Sequence, residues 1–172
     1  MTTPLRLLVL LLVFAACTPS DSNDARTSAA PDRSAVDQVL NDWHQAAAEA
    51  DFERYFGHFN SDSSIFMGTD ASERWTVAEF KPWAKPYFDR GRAWTFTPHN
   101  RWVYFSAEGT MAWFDEELDT PNLGPSRGSG VLIRTAGGWK LEHYNLTIPI
   151  PNALVDRVVV QIDSTLKAKP QR

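Results

Sequence analysis

The stretch GPSRGSGVLIRTAGGWKLEHYNLTIPIP, residues 124–151, predicts a β-hairpin. Large and small residues alternate through its first half, and Gly137-Gly138 supplies a two-residue turn before the return strand. Successive side chains of a strand point to opposite faces. On the return strand, simple alternation therefore predicts one shared face for Trp139, Leu141, His143, Asn145 and Thr147. We interpret that face as the wall of a pocket.

Two further strands are predicted upstream of this hairpin. Residues 92–106 form the first of them, with Pro98 marking a bend or bulge. In the second, two alternating sets of side chains occupy opposite faces. One set is Met111, Trp113, Asp115 and Glu117, and the other is Ala112, Phe114, Glu116 and Leu118. The pattern does not reveal which of the two faces lines a pocket.

The sequence before the strands has helical periodicity. The first helix is amphipathic, with Val36, Leu40 and Trp43 on its apolar side, and a second short helix follows Asp51. A third follows a capping box in residues 76–79 and contains two prolines, so we expect it to be kinked or partly unwound. Helices first and an antiparallel sheet afterwards predict an α+β fold.

The N-terminus predicts export. Residues 1–16 contain Arg6 and then an apolar run too short to span a bilayer, which is typical of a signal peptide. The run ends at Cys17 in a context that resembles the bacterial lipobox, so lipidation of Cys17 is expected. The alternative is an ordinary signal cleaved nearby, which leaves a free thiol. Lipidation would anchor the chain in the bacterial cell envelope, on the outer membrane facing the periplasm.

The rest of the chain divides into three predicted parts. Residues 17–33, rich in Ser, Thr, Asp, Ala and Pro, form a flexible tether, and residues 34–151 form one domain. Residues 152–172 form an extension with helical spacing, although three consecutive valines leave a strand possible. With 17 basic and 21 acidic residues, nucleic acid is not an expected partner. No pattern predicts a metal site or a cofactor, and a single cysteine allows no intrachain disulfide.

The domain resembles the SnoaL-like, or nuclear transport factor two-like, superfamily. The resemblance covers nearly the whole domain and rests on residues 62–68 followed by Trp75, on residues 112–114, and on the ending at residues 137–147. It implies a cone-shaped fold, with N-terminal helices packed in a curved antiparallel sheet, one pocket between them, and a homodimer. It does not imply one activity, because isomerases, cyclases, dehydratases and binding domains share this fold.

The resemblance also has departures that bear on chemistry. SnoaL-like relatives often have a histidine where this chain has Asn145 and a serine where it has Thr147. Ketosteroid isomerases of this fold take an essential tyrosine from the first helix. The apolar side of the first helix offers no tyrosine here. Both departures favour holding a molecule over moving its protons.

Several residues are candidates for the site. His143 and Asp115 are candidate acid/base groups, and the candidate ligand-binding residues are Trp75, Trp113, Asp115, Arg127, His143 and Asn145. Each also has a structural interpretation. His143 fits a core histidine, Asp115 with Arg127 fits a structural ion pair, and Trp75 fits a contact that fixes the start of the third helix. Trp94, Trp102 and Trp113 fit a core or a dimer face better than an aromatic cage.

Three functional hypotheses follow. The first is a non-catalytic module that binds a small, partly apolar molecule. The second is an isomerase, dehydratase or hydrolase that uses His143 or Asp115 as acid or base, with Trp75 and Asn145 positioning the substrate. The third is a structural dimer whose pocket is filled by its own side chains.

Overall fold

The computed structural model describes residues 32–168 as one helix-on-sheet unit. The predicted signal peptide, Cys17 and nearly all of the predicted tether lie outside these residues. The helices are α1 (Arg33–Ala48), α2 (Phe52–Gly57), α3 (Val77–Asp89) and α4 (Val155–Ala168), the last preceded by a 3₁₀ turn at Asn152–Leu154. The strands are β1 (Ile65–Met67), β2 (Arg74–Thr76), β3 (Thr97–Phe105), β4 (Met111–Asp119), β5 (Ser126–Thr135) and β6 (Gly138–Thr147).

The six strands form one curved sheet in the order β2-β1-β6-β5-β4-β3. Strands β3 to β6 are an antiparallel meander, as the sequence predicts, and a register shift lies at Pro98–Asn100, where a bend was predicted. The short strand β1 pairs in parallel with β6 and antiparallel with β2. This architecture confirms the predicted α+β fold, with N-terminal helices packed in a curved sheet.

We call the face of the sheet that packs against α1, α2 and α3 the inner face, and the opposite one the outer face. Aromatic rings dominate the contact between helices and inner face; Trp43 of α1, for example, meets Tyr144 of β6 with ring centroids 4.6 Å apart. Leu40 and Phe80 are completely buried in the same core. Burial of this apolar surface is the main force that fixes the helices on the sheet.

A β-bulge in β6 overturns the predicted shared face of the return strand. Leu132 pairs with Leu141, but Val131 pairs with His143, so Glu142 is an extra residue with no partner on β5. An extra residue reverses the alternation that follows it. Trp139 and Leu141 lie on the inner face, as do Tyr144 and Leu146 beyond the bulge. His143, Asn145 and Thr147 therefore lie on the outer face.

Helix α3 is continuous despite its two prolines. The predicted capping box is confirmed: the Thr76 hydroxyl accepts the Glu79 N–H, and the Glu79 carboxylate accepts the Thr76 N–H. The predicted unwinding at Pro82 and Pro86 is wrong. Both prolines lie on the exposed side, where water can hydrate the carbonyls that lose a helical donor. The opposite side packs into the core through Val77, Phe80, Ala84 and Phe88.

Helix α4 contributes no buried residue to the domain. Its exposed large apolar side chains are Val155, Val159, Val160, Ile162 and Leu166, and all of them except Val160 recur at helical spacing. It begins after the extended segment that follows β6. Within residues 32–168, no helix combines the length and the apolar composition needed to cross a bilayer.

Candidate functional site: an aromatic cavity between sheet and helices

An apolar cavity of about 140 Å³ opens at the end of the sheet formed by β1, β2 and β6. Aromatic side chains from the strands, from α3 and from the segment before β3 form most of its lining, together with two leucines. The aromatic and leucine side chains of the lining are Phe66, Trp75, Phe80, Trp83, Trp94, Phe96, Leu123 and Leu146. Cavities of roughly 150 Å³ lined by apolar groups hold a single benzene ring. The cavity therefore has the size of one small ring or a compact alkyl group.

The rings of this lining are packed against one another, which holds the cavity open. Phe80 stacks on Phe66 with centroids 4.1 Å apart and an interplanar angle of 9°. Trp75 stacks on Phe80 at 5.4 Å and meets Trp83 at 4.8 Å. Offset-stacked rings at such separations attract one another. The lining is thus a supported aromatic wall whose shape does not depend on a bound molecule.

The loop between β1 and β2 supplies the polar part of the lining, through Gly68, Thr69 and Glu73. The Glu73 carboxylate accepts the Asp70 N–H at 3.1 Å, and the Glu73 carbonyl accepts the Gly68 N–H at 2.8 Å. A Cβ on Gly68 would lie 2.2 Å from the Glu73 carboxylate oxygen. Glycine at position 68 therefore allows Glu73 to fold back over the loop beside the cavity.

A second polar cluster lies deeper, on the inner face. Glu116 is completely buried on β4; its Oε1 lies 2.7 Å from His44 Nε2, and its Oε2 accepts a 2.8 Å hydrogen bond from Arg101 Nε. Arg101 Nη1 also donates to Asp37 Oδ1 at 3.1 Å and to Asn41 Oδ1 at 3.0 Å. The cluster links α1, β3 and β4. We call Glu116, His44 and Arg101 the buried triad.

Electrostatics within the triad favour the ionised form of Glu116. Burial alone would raise the pKa of this carboxyl, but the hydrogen bond and charge of His44, then the charge and hydrogen bond of Arg101, hold the pKa below its usual value. Tyr144 lies nearby: a Cβ on Gly128 would be 2.5 Å from Tyr144 Oη and 3.0 Å from Glu116 Oε1. Burial, and then the charge of Glu116, raise the pKa of Tyr144, which stays a protonated phenol.

The buried triad is enclosed rather than presented to a ligand. His44 is 5% exposed, Glu116 is 0% exposed, and neither lines the aromatic cavity. Both oxygens of the carboxylate already have partners. Paired and hydrogen-bonded in this way, the triad connects the first helix to the sheet, and its His44 ring meets the cavity-lining Phe96 with centroids 6.1 Å apart.

The sequence-predicted site residues divide between two regions of the molecule. Trp75 lines the cavity. Asp115 and Arg127 line a groove of about 450 Å³ on the outer face, together with Trp102, Tyr104 and Glu117. Within residues 32–168, Asp115 and Arg127 form no ion pair with each other; the registers place Asp115 opposite Ser129 and Arg127 opposite Glu117.

The other three predicted residues also lie on the outer face. Trp113 is 45% exposed and stacks on Tyr104 with centroids 5.9 Å apart. Asn145 donates to Thr147 Oγ1 at 3.2 Å, and His143 lies opposite Val131. The structure therefore assembles a cavity around Trp75 and collects the other predicted site residues on the opposite side of the sheet.

The sequence contains one pattern that indicates the buried triad, a carboxylate at an apolar position of β4. Glu116 alternates with Ala112, Phe114 and Leu118, so one carboxylate stands in an otherwise apolar line. A buried carboxylate requires cationic or hydrogen-bonding partners. For the cavity, by contrast, Glu73 lies in a loop whose fold-back no periodicity reveals. Within residues 32–168, no group of three or more His, Cys, Asp or Glu side chains could hold a metal ion.

Comparison with known proteins agrees with this architecture. A family profile described as SnoaL-like domain matches residues 36–151. The sequence matches no curated protein. Solved structures with the same fold include a candidate aromatic ring hydroxylase from Novosphingobium aromaticivorans, with 17% identity, a TM-score of 0.57, and coverage of 70% of this chain and 90% of that one.

Two further structures are similar to the same extent. A candidate dehydratase of the NTF2-like family from Streptomyces avermitilis has 15% identity, a TM-score of 0.56, and coverage of 69% of this chain and 96% of that one. An NTF2-like protein of unknown function from Pseudomonas putida has 12% identity, a TM-score of 0.56, and coverage of 69% and 87%. At these identities the likeness concerns the fold alone.

Proposed function

The chain belongs to the SnoaL-like domain family, and because the shared fold hosts many activities, we propose its function on the basis of its cavity. We propose that the domain binds a small, partly apolar molecule in this cavity without catalysis. The observation that carries this proposal is the supported aromatic cavity of about 140 Å³. Apolar cavities with few polar groups are the usual form of small-molecule sites. Its size favours a single ring or a branched alkyl group over a larger molecule.

The proposal of binding without catalysis is based on the titratable side chains that line the cavity. Glu73 is the only titratable side chain in the described lining. General acid–base chemistry uses groups within hydrogen-bond reach of the reacting atoms, commonly one acid and one base. His143 and Asp115, the acid/base candidates from the sequence, lie on the outer face. The titratable groups of the triad are engaged with one another.

Ligand binding is tested by thermal unfolding with a panel of neutral one-ring compounds, such as cyclohexanol and 4-methylphenol. A compound present at 100 times its dissociation constant should stabilise the protein by about 2.7 kcal/mol. Leu123→Trp adds bulk at a residue of the lining and should abolish this shift. The matched control is Leu154→Trp, at a position 41% exposed outside the cavity, which should leave the shift intact. Shifts of equal size in both variants would show that binding occurs elsewhere.

We further propose that the domain is held on the outer membrane, facing the periplasm, by lipid attached to Cys17. The support is the sequence context of Cys17, which lies outside the described residues. Each methylene of an attached acyl chain that is buried in the membrane adds roughly 0.8 kcal/mol to the free energy of membrane binding. Cys17→Ser should move the protein from the membrane fraction to the soluble periplasmic fraction. Immunoblotting of the two fractions measures this shift. Unchanged fractionation would contradict the anchor.

We also propose that two copies pair through the outer face. Its exposed apolar side chains are Trp102, Tyr104, Met111 and Trp113, each between 44% and 47% exposed. Contiguous apolar patches of this kind mark interaction surfaces. Trp113→Arg should convert a dimer to a monomer in sedimentation velocity, whereas Val160→Arg on α4 should not. A wild-type protein that sediments as a monomer at micromolar concentration would refute the pairing.

A further inference from the structure

The described residues that line the cavity carry charge of one sign only, which is negative. Glu73 is the only charged side chain in the described lining, and no Lys or Arg side chain of residues 32–168 lines the cavity with it. The hydrogen bond from the Asp70 N–H holds the carboxylate at the loop. A ligand in the cavity therefore has one acidic side chain, and no basic one, among the described residues that line it. This asymmetry disfavours anions and favours cations.

The aromatic lining has the same preference. Three of the lining rings are the indoles Trp75, Trp83 and Trp94, and Phe66, Phe80 and Phe96 complete the set. Aromatic faces carry negative electrostatic potential and attract cations, with tryptophan the strongest of the three aromatic residues. Binding of a neutral apolar ligand would require neither a carboxylate in the lining nor indoles in place of other aromatic rings. Aromatic cages are a recurrent way to bind quaternary ammonium groups, and here an acidic side chain belongs to the same lining.

Hydrogen-bonding capacity distinguishes among cations. A primary ammonium carries three N–H donors, each of which needs an acceptor after leaving water. The surface of the described lining is almost entirely apolar, and its two polar side chains, Thr69 and Glu73, both belong to the loop between β1 and β2. A trimethylammonium group has no N–H donor, so it loses no hydrogen bond on entering. The volume of about 140 Å³ also suits a compact head of this kind.

We propose that the cavity binds a small organic cation with a methylated quaternary ammonium head, the aromatic rings surrounding the methyl groups and Glu73 neutralising the charge. This inference rests on the proposed function and names the ligand class of the same site. The binding step involves no covalent change.

The test compares three probes by isothermal titration calorimetry with the full-length protein. Choline carries the quaternary ammonium, 3,3-dimethylbutan-1-ol is its neutral isostere of nearly equal shape, and ethanolamine is the primary ammonium. Because shape and apolar area are matched, the ratio of the first two affinities measures the contribution of charge. We expect choline to bind at least about fivefold more tightly than its isostere. Ethanolamine should bind more weakly than either.

Two variants locate the effect. Glu73→Gln keeps an oxygen that can accept the Asp70 N–H but removes the charge, so it should lower choline affinity and leave isostere affinity unchanged. Glu108→Gln, an exposed carboxylate in the turn before β4, is the matched control and should change neither. Circular dichroism verifies that both variants are folded.

The outcomes separate this inference from the proposed function. Tighter binding of choline than of its isostere, reduced by Glu73→Gln alone, supports the inference. Equal or tighter binding of the isostere overturns it and leaves the proposed apolar binding function standing. Failure of choline to bind also overturns the inference, and failure of the neutral one-ring panel as well would reject the binding function itself.

Discussion

Replacement of Arg101 by methionine should destabilise the domain by about 3–5 kcal/mol, the range for removing one partner of a buried ion pair. The Arg101 side chain is only 7% exposed, and Glu116 beside it is 0% exposed. Methionine fills a similar volume but leaves a buried carboxylate with one partner fewer. Urea unfolding monitored by tryptophan fluorescence at neutral pH measures the loss.

Two comparisons show whether the loss arises from the uncompensated charge. Adding Glu116→Gln to Arg101→Met should recover part of the stability, because the amide is neutral and can still hydrogen bond to His44. The matched control is Arg54→Met, which breaks a partly exposed pair with Asp42 and should cost clearly less. A loss from Arg101→Met no larger than that from Arg54→Met would refute the role of the buried triad.

The pH dependence of Arg101→Met gives a further check with a definite sign. Without the guanidinium, the pKa of Glu116 in the folded variant rises relative to the wild type, because burial is less compensated. The wild type gains stability from ionised Glu116 above the pKa of the unfolded state and loses it as pH falls. The difference between wild type and variant should therefore shrink as pH falls and Glu116 becomes protonated.

The second large effect is expected from Phe80→Ala, which should cost about 3–5 kcal/mol. Phe80 is fully buried, stacks on Phe66, and lines the cavity. Its removal eliminates apolar contacts and enlarges the cavity. A compound with two fused rings should then stabilise the variant more than it stabilises the wild type, which has room for one ring.

Thermal unfolding with and without naphthalene measures both parts of this expectation. Val160→Ala, at a position 67% exposed on α4, serves as the surface control and should change stability by no more than about 0.5 kcal/mol. A Phe80→Ala protein as stable as the Val160→Ala protein would contradict the role of Phe80 in the core. A stability loss without any gain from naphthalene would indicate that the cavity collapses.

The antiparallel meander could be predicted from local pattern because its strands alternate with a two-residue period except at the irregularities near Pro98 in β3 and at Glu142 in β6. The opposite faces of Asp115 and Glu116 follow from adjacency alone, but the direction of each face depends on where the helices pack, which no single strand encodes. The buried triad joins His44, Arg101 and Glu116 across up to 72 residues of sequence. Its partners become apparent only once α1 is placed on the sheet.

The cavity was harder to predict than the sheet because its lining comes from short segments with little periodicity. Trp75 was recognised, whereas Phe66 and Phe80 reach the same space from a three-residue strand and a proline-containing helix. Trp94 packs against the core, as one of its two sequence interpretations predicts, and it also lines the cavity. The prediction that His143 and Asn145 share a face with Trp139 and Leu141 is wrong for one reason, the extra residue in β6.

That single extra residue also says something about how such a domain can change its chemistry. Beyond Glu142, the inner face receives Tyr144 and Leu146, and the outer face receives His143 and Asn145. Deletion of one residue at this point would exchange the two sets, bringing an imidazole and an amide inward and sending a phenol outward. In this strand, insertion or deletion of one residue would therefore change the composition of the interior in one genetic step, where substitution would need several.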